Sequence, residues 1–537
     1  MRPAGPPPTI EADGLTSATY TRRVIGLRDD DPAGIGLDPA MVLPARLAWW
    51  AEREPDRPFL QEVTGRSTTY GEFMLEIRRW CTVLREMGAV PGDRLISMLP
   101  ASIDAAAVWM AAASIGAWEV PVNPDLRGSF LEHALRDPGA RVCFVRPEHA
   151  DLPGTVPVPG IETVVVPRDG SFTAGIEPAQ IDRWPQPTDI SCVIYTSGTT
   201  GPSKGVVISW AQITSTIGRI PRSWFSEADA VYTSHPMFHV TARSPFPAMS
   251  DVGGRIVLRE KTSVSEFWSD VRRFGCTSAT VNTGLILAAP ERDDDADNPL
   301  RVAFTGGSRA LANRFAARYA VHMVEAYGST EAGFPIVCRE FPSDGGRTCG
   351  FLRRGYDARL VGEDGCDVAD GEAGELWIHP PVRTLITLGY LGRDDLTASA
   401  IVDGWYHTGD AMRRLPDGSF EFVDRIKDTI RRLGENISST ALEAAICDDP
   451  QVGECAAVGV PDPVAGQEIL LAVIPRTGAV IDPAALYARL SEVLPRYMLP
   501  RYLTVVAQLP RTATNKVRKE DLRALFQRDA VWERPTR

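Results

Sequence analysis

Residues 195–205 read Tyr-Thr-Ser-Gly-Thr-Thr-Gly-Pro-Ser-Lys-Gly and lie between two apolar runs. The stretch holds three glycines, five Ser/Thr hydroxyls and one lysine. Glycine lets the backbone approach an anion, hydroxyl and amide N–H groups donate to phosphate oxygens, and a lysine adds a mobile positive charge. That is phosphate-binding chemistry. It is not the Walker A arrangement, because Pro202 and Ser203 separate Gly201 from Lys204. The same composition also suits a Gly/Ser/Thr hairpin that binds nothing, so the loop takes its meaning from the groups that accompany it. Metal chemistry built on histidine or cysteine is not expected. Of the seven histidines only His235 and His239 stand four apart, and Pro236 between them disfavours the helix that would align them. The nine cysteines are scattered and contain no C-x-x-C pair.

The elements that position such a loop follow from periodicity. Helical apolar spacing occupies 46–51, 69–87 and 103–116, and apolar runs suited to strands occupy 95–99, 118–122 and 142–145. This alternation predicts an α/β fold with a largely parallel sheet. After a Pro-rich connector at 153–187, Cys192-Val193-Ile194-Tyr195 reads as the strand that feeds the loop. Strands at 231–234, 255–258, 279–282, 301–304 and 321–327 continue the pattern, with helices at 264–274 and 311–319. Ligands of such sheets sit beyond the carboxyl ends of the strands.

From about residue 350 the texture becomes short strands divided by Asp-Gly turns, which predicts an antiparallel, barrel-like part. Beyond 427 a compact α/β run (helices 439–447 and 483–494, strands 455–460 and 469–474) reads as a small domain with its own core. The expected division is a flexible arm at 1–38, a large domain at 39–426 with the barrel-like part at about 350–426, and a small C-terminal domain at 427–537.

Five segments, taken in order, resemble the motifs of the acyl-adenylate-forming (AMP-binding) superfamily, and within it most closely the acyl-CoA synthetases. They are the loop at 195–205, Tyr327-Gly328-Ser329-Thr330-Glu331, Tyr406-His407-Thr408-Gly409-Asp410, Asp424-Arg425-Ile426-Lys427-Asp428 continuing through Gly434, and Pro510-Arg511-Thr512-Ala513-Thr514-Asn515-Lys516. Five in the right order are far more specific than any one. The resemblance implies that Thr196, Ser197, Gly198, Thr199, Thr200 and Lys204 hold the β- and γ-phosphates of ATP. It implies that Tyr327, beside Gly328, lies against adenine, that Thr330 reaches phosphate, and that Glu331 holds Mg²⁺, a cation that prefers carboxylate and phosphate oxygens. Asp410 takes the ribose role, Arg425 contacts ribose or phosphate, and Lys427 marks the interdomain hinge. Gly306 and Gly307 resemble a turn that lets substrate and adenine approach the backbone. Lys516 becomes the group that neutralises charge on the attacked phosphate. Here the sequence has Asn515 where the family usually has glycine, and Asn tolerates left-handed backbone. His239 resembles the aromatic residue that lines the acyl pocket.

The implied enzyme is a ligase that converts a carboxylate and ATP into an acyl-adenylate and passes the acyl group to coenzyme A. Three other readings stay open: ATP-dependent activation of nitrite for transfer to an aromatic amine, transfer to a carrier protein in place of coenzyme A, and a catalytically idle nucleotide-binding protein. The positions His239, Thr241, Asn282, Thr283, Gly307, Gly333 and Phe334 mix small, polar and aromatic groups and suit an aromatic or short polar acid. Composition limits the rest. A net charge of −12 in 537 residues argues against a nucleic-acid surface. No apolar run is long enough to span a bilayer, and Met1 to Pro8 lacks the apolar core of a signal peptide. The scattered cysteines fit a reducing cytoplasm, and a small-molecule substrate is the expected partner, with a homodimer left open.

Overall fold

The helix Tyr70–Glu86 shows how sequence sets the first layer. Thr69 accepts from the Glu72 amide and Glu72 in turn accepts from the Thr69 amide, closing a capping box. Tyr70, Phe73, Met74, Ile77, Trp80, Cys81 and Leu84 then recur at helical spacing and are all buried. They pack near Ile103–Ser114, a helix with every residue buried, started by the Ser102 side chain on the Ala105 amide. Its run of alanines lets it pass between neighbours at close range, touching strands of two different sheets.

The computed structural model describes residues 36–196, 203–219, 224–305, 309–337, 348–432, 435–463, 465–512, 516–526 and 531–534. The expected flexible arm at 1–38 therefore lies almost wholly outside the described residues. So do the loop residues Ser197, Gly198, Thr199 and Thr200, the glycines Gly306 and Gly307, Gly434 and Asn515.

Two large sheets carry the N-terminal part. One has nine strands, in the order Phe351–Leu352, Gly333–Val337, His322–Ser329, Val302–Thr305, Ser278–Thr280, Ala230–Thr233, Arg255–Leu258, Pro58–Glu62 and Ser67–Thr69. Its centre is parallel, as the alternation predicts, and both edges turn antiparallel. The other has seven strands, in the order Gly389–Tyr390, Lys204–Ser209, Ile190–Thr196, Trp118–Pro121, Arg94–Met98, Val142–Val145 and Glu162–Val165. Here the strands before and after the candidate phosphate loop pair with each other in antiparallel fashion, Thr196 opposite Lys204, as the two arms of a hairpin.

The barrel-like part is an antiparallel five-stranded sheet: Asp357–Val361, Ala373–His379, Trp405–Arg414 and Ile401–Val402, with Phe420–Arg425 also pairing with Trp405–Arg414. A fourth, six-stranded sheet spans Ile430–Arg432 to Trp532–Glu533 and has hydrophobic clusters of its own. The helix Ser439–Cys447 is found at its predicted bounds, capped by Ser438 on the Ala441 amide. Within this sheet Arg432 donates to both oxygens of Glu468 and to the Tyr497 carbonyl.

Candidate active site

The phosphate loop is held at both stems by one short helix, Gly128–Arg136, which the sequence reading did not connect to it. His133 Nε2 donates to the Ser203 carbonyl at 2.7 Å. Tyr195 donates its hydroxyl to Asp137, the residue that ends the helix. Thr196 closes the first stem, and Lys204, opposite it, opens the second. The Lys204 ammonium group lies 5.5 Å from the centre of the Tyr390 ring. Tyr390 gets there because Gly389–Tyr390 adds an antiparallel edge to Lys204–Ser209, with Tyr390 paired to Val206. Its hydroxyl donates to Glu331 Oε1 at 3.3 Å. One side chain thus joins the phosphate hairpin to the carboxylate expected to hold a metal ion.

Glu331 follows strand His322–Ser329 at a sharp reversal into Gly333–Val337. The Gln212 side-chain amide donates to the Thr330 carbonyl at 2.8 Å and to the Glu331 carbonyl at 3.3 Å, and the Thr387 amide donates to the Glu331 carbonyl at 2.7 Å. Gly328 is required by crowding: a Cβ there would stand 2.2 Å from the Gly333 carbonyl oxygen and 2.6 Å from the Phe334 ring. Tyr327 lies between this turn and the barrel-like sheet and is 8% exposed.

Asp410 stands on Trp405–Arg414 after a local irregularity in the pairing with Ala373–His379. Gly409 takes φ +69°, a left-handed conformation natural to glycine, and its amide donates to Glu375. Asp410 is 2% exposed. Its Oδ2 accepts from the Tyr327 hydroxyl at 2.7 Å. Its Oδ1 lies 2.9 Å from Arg425 Nε but outside hydrogen-bond alignment, which leaves a buried acceptor open. Arg425 reaches it as the cross-strand partner of Asp410. Burial raises the Asp410 pKa above the usual carboxylate value, with Arg425, Tyr327, Lys516 and Lys427 pulling the other way.

Lys516 arrives from the C-terminal part of the chain. Its amide donates to Thr512 Oγ1 and its carbonyl accepts from the Thr512 amide, which fixes its backbone against Thr512. The side chain keeps contact with solvent yet is walled by the cleft, and that desolvation lowers its pKa. Arg425 lowers it further, while Asp410 and Glu331 act in the opposite sense. His239 also feels the Lys516 charge. Desolvation first, and that charge second, push its pKa down to about 3, so the ring is neutral at ordinary pH. Its Nδ1 caps the short helix Val240–Arg243, accepting from the Thr241 amide. Lys427 lies near the same charges, with its pKa lowered by burial.

The structure thus gathers Glu331, Tyr327, Asp410, Arg425 and Lys516, with His239 in reach of the Lys516 charge, and sets Thr196 and Lys204 on the neighbouring hairpin. Sequence reasoning missed Tyr390, Gln212 and His133. A tyrosine beside a glycine at Gly389-Tyr390 was the one local signal available; nothing in their own segments marks Gln212 or His133. Among the described residues no group of three His, Cys, Asp or Glu side chains forms a metal cluster, and no helix is long and apolar enough to cross a membrane.

A large α/β part, an antiparallel barrel-like sheet and a small C-terminal part whose Lys516 lies within the electrostatic reach of Asp410, Glu331 and Arg425 are the architecture of an adenylate-forming ligase. The chain belongs to the AMP-binding enzyme family: the model of that family matches residues 47–391, and the AMP-binding enzyme C-terminal domain matches 441–516. It is 30% identical over 509 residues to a sulfoacetate–CoA ligase of Cupriavidus necator, covering 89% of this chain and 96% of that protein. It is 31% identical over 474 residues to a feruloyl-CoA synthase of Amycolatopsis, covering 86% and 94%. The fold matches ATP-bound MatB from Rhodopseudomonas palustris with a TM-score of 0.82 at 22% identity, over 91% of this chain and 99% of that one.

Proposed function

We propose that the protein activates a carboxylic acid with ATP and transfers the acyl group to the thiol of coenzyme A. The observation that carries this reading is the convergence of Lys516 on Asp410, Glu331 and Arg425. In the first step a carboxylate oxygen attacks the α-phosphate, the bond to the β-phosphate breaks and pyrophosphate leaves. The loop from Thr196 through Ser197, Gly198, Thr199 and Thr200 to Lys204 holds the leaving phosphates, and Lys516 neutralises charge that builds on the one under attack. Tyr327 lies against adenine, Gly306 and Gly307 let the nucleotide approach the backbone, and the open acceptor of Asp410 takes a ribose hydroxyl. Arg425 and Thr330 complete the nucleotide contacts.

The donor set at Glu331 fits Mg²⁺, which binds through one or two carboxylates plus substrate phosphates and keeps several waters. When bound, the ion would screen the charge on the phosphates. Tyr390 and Gln212 hold Glu331 in place for it.

In the second step the sulfur of coenzyme A attacks the acyl carbon, its proton departs and AMP leaves. Lys516 has no task there, so residues 427–537 are assigned as a mobile domain that turns about Lys427 against 39–426 and brings the Gly434 loop to the thiol. His239, neutral and beside Thr241, lines the acyl pocket, for which we favour an aromatic or short polar acid. The relatives named for ferulate and sulfoacetate accord with that choice. The test is a pyrophosphate-release screen of carboxylic acids with ATP and coenzyme A. Nitrite-plus-arylamine and holo-carrier-protein wells run on the same plate. Acid- and coenzyme-A-dependent turnover is expected; turnover only in the nitrite or carrier wells, or in none, would overturn the proposal.

A further inference from the structure

Away from the nucleotide site the fold brings two thiols together. Cys447 ends the helix Ser439–Cys447, and Cys455 lies on the following strand, Val452–Asp462. Their sulfurs stand 3.5 Å apart, and Cys455 Sγ also lies 3.4 Å from the Glu443 carbonyl oxygen, to which it donates. A disulfide needs about 2.05 Å between sulfurs, so a shift of roughly 1.5 Å would close the bond. The segment between them is short and its backbone turns through Asp449 and Val452, which brings the end of the helix back against the strand.

The two differ in a useful way. Cys455 is 6% exposed, whereas Cys447 is half-buried and is the one a reagent reaches. When the Cys455 S–H turns from the Glu443 carbonyl to Cys447 it favours the Cys447 thiolate, which lowers that group's pKa against the effect of burial. The remaining cysteines offer no comparable pair among the described residues. Burial pushes Cys81, Cys143 and Cys276 up to about 12 and Cys192 up to about 11, which keeps them as inert thiols. Cys366 is exposed and has no thiol neighbour among the hydrogen-bonded pairs.

We propose that Cys447 and Cys455 are a reversible thiol–disulfide site whose co-reactant is a small-molecule disulfide of the glutathione class. The Cys447 thiolate attacks one sulfur of that disulfide and expels a thiol. Cys455 then loses its proton and attacks the Cys447 sulfur, expelling the second thiol. Two protein thiols are oxidised to one disulfide while one incoming disulfide is reduced to two thiols. The bond fastens the C-terminal end of a helix whose first residue, Ser439, is already held by Asp424 through its amide at 2.6 Å and its hydroxyl at 2.7 Å. Oxidation would therefore fix both ends of the helix that follows the proposed hinge.

The test incubates the full-length protein with oxidised glutathione, quenches in acid, alkylates under denaturing conditions and maps the peptides by mass spectrometry. The expected product has lost two hydrogen atoms, carries a Cys447–Cys455 cross-link and reverts with reduced dithiothreitol. Cys455→Ser should stop at a glutathione adduct on Cys447, and Cys447→Ser should give neither product. The wild-type map decides even if a variant fails to fold. Both thiols alkylated, or only an uncyclised adduct on Cys447, at a concentration that modifies the exposed Cys366 would overturn the proposal.

Discussion

Replacing Asp410 with Asn separates the cost of a buried carboxylate from its value to the nucleotide. In the folded protein burial holds the Asp410 pKa above its ordinary value despite Arg425 and Tyr327. The folded state therefore binds that proton more tightly than the unfolded chain, and stability falls as pH rises from the usual carboxylate pKa through the raised one. Asn keeps an acceptor for the Tyr327 hydroxyl and removes the charge. Arg425 loses its partner, but its side chain is 42% exposed, so water hydrates it at small cost. The nucleotide-free Asn variant should then melt at the wild-type temperature or above it near pH 8. A ribose hydroxyl donating to a carboxylate is worth about 1.5–3 kcal/mol and to a neutral carbonyl roughly half that. The difference, about 0.8–1.5 kcal/mol, raises the KM for ATP by about 4- to 13-fold. Thermal shift without nucleotide and pyrophosphate release against ATP concentration measure the two effects on one sample. An unchanged KM for ATP would refute the ribose role, and a strongly lowered melting temperature would refute the electrostatic reasoning.

Two further outcomes follow from the same geometry. Burial holds His235 down to about 4 and His239 down to about 3, so below the ordinary value of about 6.5 the unfolded chain binds more protons and stability declines as pH falls through that window. His235→Gln with His239→Gln should flatten the difference in urea midpoint between pH 8 and pH 5, and an undiminished difference would count against buried neutral rings. Gly328→Ala drives a Cβ into the Gly333 carbonyl. The resulting shift of the Tyr327-to-Glu331 segment should cost on the order of 100-fold in kcat/KM for ATP, and near-wild-type kinetics would show that the turn can yield.

The candidate site residues were legible because their types are unusual for their setting: hydroxyls and glycines after an apolar strand, a carboxylate after Gly328-Ser329-Thr330, a lysine near Pro510. The parallel centre of the nine-stranded sheet and the helix Ser439–Cys447 were legible too, through periodicity and a serine cap. Strand direction at the phosphate loop was not, because direction belongs to the pairing partner, and only the register of Thr196 against Lys204 reveals a hairpin. Tyr390, Gln212 and His133 escaped for a similar reason. Each acts on a segment more than 50 residues distant in sequence, with separations of 59, 118 and 70 residues. The Asp410–Arg425 contact likewise depends on cross-strand register.

Lys516→Ala tests most directly whether one lysine serves one half-reaction of a two-step enzyme. ATP-dependent pyrophosphate release with the preferred acid reports the first step, and conversion of the synthetic acyl-adenylate by coenzyme A reports the second. Loss of a charge-neutralising group from the attacked phosphate should lower the first rate by about 100- to 1,000-fold and leave the second near the wild-type value. Equal losses in both steps, or none in the first, would contradict the assignment.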